Sequence, residues 1–380
     1  MLAGLRRHRR IKTKGNWEVF VSPYFLRFSS AILHWVCPVR RWFSAKHAAV
    51  LATTLALAGC GATRNVMYKT TGDVMVSFAQ EHQTPFVLST DDVSMNCGMS
   101  EALAPMLMSF GRVRDEPHSL AVMIYGSAGM CAESRALNEE LRYMRAIRDQ
   151  DPAEAEDALI AQKRFNTLAA KRNYEAYQHL VAQYGEPGGA CPELEEDYDE
   201  FIWMMGMIAG LQALNNEIAS GAGLGVPKNI AAKVERSAAC VDDDKWWGAP
   251  MAIRATVWSM LPGAEPKGEN ASMRLAAAAK KGERAGVRLA HVFQALAAYG
   301  KGDMDAVKQV IRAHAKSKAN KEAPPEARLL DELATTMLTG LSDRMWTEHT
   351  GHRTPMGALG RFWDDKKQTT AETVDLSDIL

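Results

Sequence analysis

Phe201-Ile202-Trp203-Met204-Met205-Gly206-Met207-Ile208-Ala209-Gly210-Leu211-Gln212-Ala213-Leu214-Asn215-Asn216 holds sixteen residues without a charge. A helix that is apolar all round is a buried one. Gly206 and Gly210 stand four apart, on one face, where they let a second helix come close. The run is too short to cross a membrane, and Gln212 interrupts it. An acidic cluster (Glu193, Glu195, Glu196, Asp197, Asp199, Glu200) precedes it and suits a helix N-terminus. The stretch therefore predicts the central helix of an all-α fold.

Working outward, the chain reads as helix after helix. Val66 to Gln80 is one, and a run from Phe86 to Phe110 is interrupted at Asp91-Asp92. Leu137, Leu141, Met144 and Ile147 recur at helical spacing. Asp151-Pro152 supplies an N-cap and a first-turn proline. Gly185-Glu186-Pro187-Gly188-Gly189 is the clearest break. Beyond the central helix come Ile230 to Cys240, Met251 to Leu261, two hairpins over 271–318, and Arg328 to Leu341. Alternating β-branched runs and Asn-Gly or Asp-Gly turns are nearly absent. Helix pairs spaced roughly 34–45 residues apart, with small residues at the crossings, suggest a tetratricopeptide-like (TPR-like) hairpin array, an α-solenoid, without strict repetition.

The net charge of zero hides an asymmetry. Segment 1–59 has ten Lys/Arg and one acid, leaving 35 basic and 44 acidic residues, a net of −9. An acidic chain is a poor partner for nucleic acid. In the same segment, basic residues (Arg40, Arg41, Lys46) precede an apolar run, Ala48 to Ala58, that ends Leu57-Ala58-Gly59-Cys60. This is the order of a secretory signal, and it resembles the lipobox of bacterial lipoproteins. The likeness implies cleavage before Cys60, a lipid on Cys60 and membrane attachment by that lipid alone. Gly61 in place of an aspartate implies the outer membrane, periplasmic face. The expected organisation is 1–59 signal region (1–38 an over-extended start), 60–64 lipidated tether, 65–341 helical domain, and 342–380 a Trp/His-containing tail.

An oxidising compartment turns Cys97, Cys131, Cys191 and Cys240 into disulfide candidates. Three pairings are possible; Cys97 with Cys131 and Cys191 with Cys240 are favoured, because neighbouring helices of an array stay close. Their spacings lack the close pairs of a zinc site.

No catalytic signature emerges. There is no Gly-x-Ser-x-Gly elbow, phosphate loop or dinucleotide fingerprint, so a non-enzyme without a cofactor is expected. His349, His352 and Asp364 are too weak a pattern to imply a metal; the tail is read as packing its tryptophans on the array or a partner. Arg288 and His291 share a face and are read as exposed hairpin polarity. Trp203 is read as core. Trp246, Trp247, Arg254 and Trp258 sit in a stretch where Arg254 is the one charge of its helix. A guanidinium among apolar residues needs an anion, either an internal Asp/Glu or a ligand carboxylate.

The lipobox, the Trp203 helix with Gly206 and Gly210, and Trp246-Trp247-Gly248-Ala249-Pro250 followed by Arg254-x-x-x-Trp258-x-x-x-Pro262 together resemble the TPR-like lipoproteins associated with TRAP transporters, called the T component. The likeness covers roughly 65–318. It implies a periplasmic helical protein that binds a small organic acid or hydrophobic ligand and exchanges it with a TRAP substrate-binding protein. Trp246, Trp247, Arg254 and Trp258 would line the ligand site. Homo-oligomerisation stays open. The alternative is an envelope-assembly lipoprotein whose groove holds peptides or partner proteins.

Overall fold

The computed structural model describes residues 64–365. Cys60 and the lipobox lie outside them. By internal contacts the chain divides into 1–73 and 74–380. Of the first unit, 64–73 is helical, with Lys69 and Asp73 paired at 3.0 Å one turn apart.

The described part of the second unit is built from helices joined by loops, and no strand occurs among the described residues. A π-helical turn, Ala79–Gln83, leads to α1 (Thr84–Leu88) and α2 (Val93–Ser109). Two long helices follow, α3 (His118–Arg148) and α4 (Pro152–Tyr184). Next come α5 (Asp197–Ser220), α6 (Ile230–Ser237), α7 (Ala249–Met260), α8 (Ala271–Ala285), α9 (Leu289–Gly300), α10 (Met304–Asn320) and α11 (Arg328–Thr350).

Side-chain caps set many of the starts. Asp92, Asp151, Asn270 and Asp303 accept from backbone N–H groups three residues on, satisfying donors that a helix start leaves free. At α5, Glu196 and Asp199 form a reciprocal capping box.

The α3–α4 hairpin is long, with 31 and 33 residues, or about 45–50 Å at 1.5 Å per residue. It carries α5, and the glycines set the spacing. A Cβ on Gly206 would fall 2.8 Å from Leu180, and one on Gly210 would fall 2.5 Å from Tyr177. Between α3 and α4, a Cβ on Gly129 would fall 2.2 Å from Asn173 Oδ1. Trp203 is buried as expected and donates to the Ser237 carbonyl at 3.2 Å. The short helices α7 to α10 then pack each on its predecessor, with α9 also against α7.

Cys97 is joined to Cys131, tying α2 to α3, and Cys191 to Cys240, tying the loop before α5 to the turn after α6. Both pairs have Cα atoms 5.5 Å apart.

Two features differ from expectation. First, the last helix continues past 341 to Thr350 because its apolar stripe does, through Leu338, Leu341 and Met345; Gly351, at φ 83°, ends it. The helix folds back on α3, where Leu137 meets Gly340 and Arg344 grips Glu140 with two bonds of 2.8 Å. Residues 351–365 return over α10 and α11: Trp363 stacks on His349, and Lys308 pairs with Asp364 at 2.6 Å.

Second, Arg288 and His291 are buried, at 0% and 1% exposure. Arg288 Nη1 meets Asp331 Oδ2 at 2.6 Å, and Nε donates to Ser317 Oγ at 2.8 Å. Nη2 donates to the carbonyls of Ser317 and Lys321. The charge is thus fully hydrogen-bonded, the condition under which burial is tolerated. His291 bridges Glu283 Oε1 (3.1 Å) and His314 Nδ1 (3.3 Å), and His314 reaches Thr335 Oγ1 at 3.0 Å.

Burial above all, then His291, Arg288 and Lys318, pull the His314 pKa down to about 3. His314 is therefore neutral when folded but titrates near 6.5 when unfolded. Its contribution to stability is full above pH 6.5 and is lost as pH falls from 6.5 toward 3. At pH 5.5 the loss from this one group is about 1.4 kcal/mol. Urea unfolding of His314→Gln should show a correspondingly shallower decline between pH 7 and 5.5 than the parent.

Candidate functional site

Of the four predicted ligand residues, Trp246 and Trp247 precede α7, whereas Arg254 lies in its middle and Trp258 in its last turn. Trp247 (φ 56°) and Gly248 (φ 82°) are consecutive left-handed residues. They turn the chain sharply into Ala249-Pro250, where proline suits the first turn. A left-handed non-glycine costs about 1 kcal/mol or more, so the surroundings must hold it. They do: Gly248 lies against the Ala278 backbone of α8, where a Cβ would fall 2.6 Å from the carbonyl oxygen. Asp243 accepts from the Met251 N–H at 2.9 Å and pairs with Lys281 at 2.6 Å.

Trp246 is buried and stacked on Phe201 of α5. Its indole N–H donates to Glu200 Oε2 at 2.5 Å, and Lys245 joins Glu200 at 2.8 Å. Trp247 stands edge-on to Trp246, half-buried.

Arg254 and Trp258, one turn apart on α7, share the carboxylate of Glu235 on α6. Trp258 Nε1 donates to Glu235 Oε1 at 2.8 Å, and Arg254 Nε donates to the same oxygen at 3.3 Å. The guanidinium carbon sits 5.1 Å from the Trp258 ring centroid, a cation–π arrangement. Of the two anions that the sequence leaves open, the internal one is present: Glu235 bonds Arg254, and the Glu269 carboxylate, held chiefly by Arg274, also feels the Arg254 charge. Glu235 engages only Nε. Among the described residues, the two terminal nitrogens of Arg254 have no hydrogen-bonded acceptor, and the side chain is 25% exposed. An Arg oriented by one acid and stacked on an indole, with its outer fork uncommitted, can take a carboxylate with two parallel bonds.

A second polar constellation has no precedent in the sequence reading. Glu133 on α3 accepts from Asn173 Nδ2 of α4 (2.9 Å) and from Asn216 Nδ2 (2.5 Å) and Gln212 Nε2 (3.3 Å) of α5. Part of its surface stays accessible, yet protein packs round the carboxyl, and no cation lies within ion-pair distance among the described residues. Burial pushes the carboxyl above the ordinary glutamate range, against the pull of Asn216, Asn173 and the Arg344 charge. Buried asparagines on two helices are the one trace of this network in the sequence, and spacing along the chain does not join them to Glu133.

His349, His352 and Asp364 are not brought together. His349 stacks on Trp363 at 4.2 Å, His352 Nδ1 faces the Arg353 carbonyl, and Asp364 is taken by Lys308. No family model, characterised protein or solved structure matches the chain.

Glu133 gives a direct check on the interior. Glu133→Gln keeps an acceptor for the amides and removes a desolvated charge, so urea unfolding at pH 7 should find it at least as stable as the parent. Glu133→Ala strands buried donors of Asn173 and Asn216 and should cost about 1–3 kcal/mol.

Proposed function

We propose that this protein is a lipid-anchored, TPR-like scaffold on the periplasmic face of the bacterial outer membrane. In this reading it serves a TRAP-type uptake system by binding a small organic acid and handing it to or from the substrate-binding protein. The anchor rests on the order of basic residues, apolar run and Leu57-Ala58-Gly59-Cys60. The scaffold reading is supported by the succession of short helices from α7 to α10, each packed on its neighbour, as in arrays that present extended binding surfaces.

The ligand reading is carried by a single observation: Glu235 fixes Arg254 through Nε alone over Trp258, leaving the outer guanidinium edge without a protein acceptor among the described residues. Trp246 serves the site indirectly in this reading. Its bond to Glu200 holds the turn from which α7 starts, and Trp247 is the half-buried aromatic neighbour.

The ligand is tested by tryptophan fluorescence and calorimetry on the purified protein with carboxylates such as succinate and benzoate. At least one should bind with a change in tryptophan emission. Arg254→Gln should weaken it at least tenfold, since a charge-assisted bond is worth about 1.5–3 kcal/mol, while unfolding and far-UV dichroism stay close to the parent. Absence of binding, or binding that Arg254→Gln leaves unchanged, removes Arg254 from the ligand site. Co-purification with a substrate-binding protein from the native envelope tests the partner separately.

A further inference from the structure

A different part of the molecule brings three metal-type ligands together. Glu116 is in the loop before α3, His118 is the first residue of α3, and His179 lies near the end of α4. His118 Nδ1 and His179 Nδ1 face each other at 2.8 Å, and Glu116 Oε2 is 3.9 Å from His118 Nδ1. One ligand atom from each residue lies within 4.8 Å of both others. Donors held at about 2.0–2.2 Å around one zinc ion are themselves roughly 3–3.5 Å apart, so small side-chain movements close this set onto one ion.

The surroundings match what ligating histidines require. A metal-bound imidazole is usually oriented by a partner at its other nitrogen. His179 Nε2 lies 3.8 Å from Glu175 Oε1, beyond hydrogen-bond distance, so that a small movement of the Glu175 side chain would let it accept from Nε2–H while Nδ1 faces the metal position. Tyr125 lies parallel to the His179 ring with centroids 5.6 Å apart, limiting its rotation. His179 is 7% exposed, whereas His118 and Glu116 are open enough for an ion to enter.

We infer that Glu116, His118 and His179 form a binding site for a divalent transition metal of the zinc class, with a fourth position open to water. Two imidazoles and one carboxylate suit zinc and its neighbours in the first transition row more than calcium or magnesium, which prefer oxygen. The facing nitrogens share one proton in the metal-free protein. On binding, the ion replaces that proton, which moves by way of solvent to His118 Nε2, so each ring ligates through Nδ1 as a neutral group. The site is independent of Arg254 and of the ligand reading above.

Zn2+ and Co2+ added to the untagged, chelator-treated full chain test this. One equivalent of Zn2+ should bind and raise Tm, and Co2+ should give the visible absorption of a four-coordinate ion. His118→Gln and Glu116→Gln change partly exposed residues, so both variants should fold. Each should weaken Zn2+ binding at least about tenfold, with the Co2+ band lost in His118→Gln. His349→Gln, near the end of α11 and outside this site, should change nothing. No Tm shift and no Co2+ band in the parent protein overturns the site, and so does binding that survives His118→Gln. In either case His118 and His179 form a hydrogen-bonded staple between α3 and α4.

Discussion

A helix that carries no charge for sixteen residues has to bury most of its surface, and here the side bearing Met205, Ile208, Gln212 and Asn215 stays partly open. α4 lies against Gly206 and Gly210, which no larger residue can replace without moving Leu180 or Tyr177. α6 receives Trp203 through the Ser237 carbonyl, and Ile230 of α6 packs near Gly210. Trp246 stacks on Phe201 at the helix start. α3 meets the polar end, where Asn216 and Gln212 donate to Glu133. Apolar burial supplies the main driving force. The polar end makes the arrangement specific, because a slip of α3 would leave both a carboxylate and two amides unpaired.

The candidate ligand site follows from the same constraint. The acidic first turn of α5 places Glu200 where it takes the Trp246 indole and Lys245 together. That contact holds the left-handed turn at Trp247 and Gly248, and the turn aims α7 so that Arg254 and Trp258 meet Glu235 of α6. The indole N–H groups of Trp246 and Trp258 each end on one carboxylate. Two acids thus hold two tryptophans, and the second also orients the arginine.

What the sequence revealed followed the distance over which each interaction acts. The helix start at Asp151 is legible because a cap bonds three residues on. The buried character of α5 is legible because sixteen adjacent residues state it, and the cysteine pairs because neighbouring helices stay close. Arg288 and His291 looked like surface polarity because their partners are remote: Asp331 lies 43 residues away, Ser317 29 and His314 23. Glu133 was hidden for the same reason, with acceptor contacts to residues 40 to 83 away. Arg254 was recognised as needing an anion, but nothing local singles out Glu235, 19 residues upstream on another helix. The π turn at Ala79–Gln83 and the return of α11 onto α3 have no local signature either.

The central claim is that Glu235 orients Arg254 and leaves its outer edge for a ligand. Nitrogen-15 spectra of the Arg254 side chain test this directly. As a binding carboxylate is titrated in, the two Nη signals should shift and their rotation should slow, while Nε, already engaged by Glu235, stays near its starting position. Nη signals that remain unmoved at saturation, or a change confined to Nε, would contradict the account.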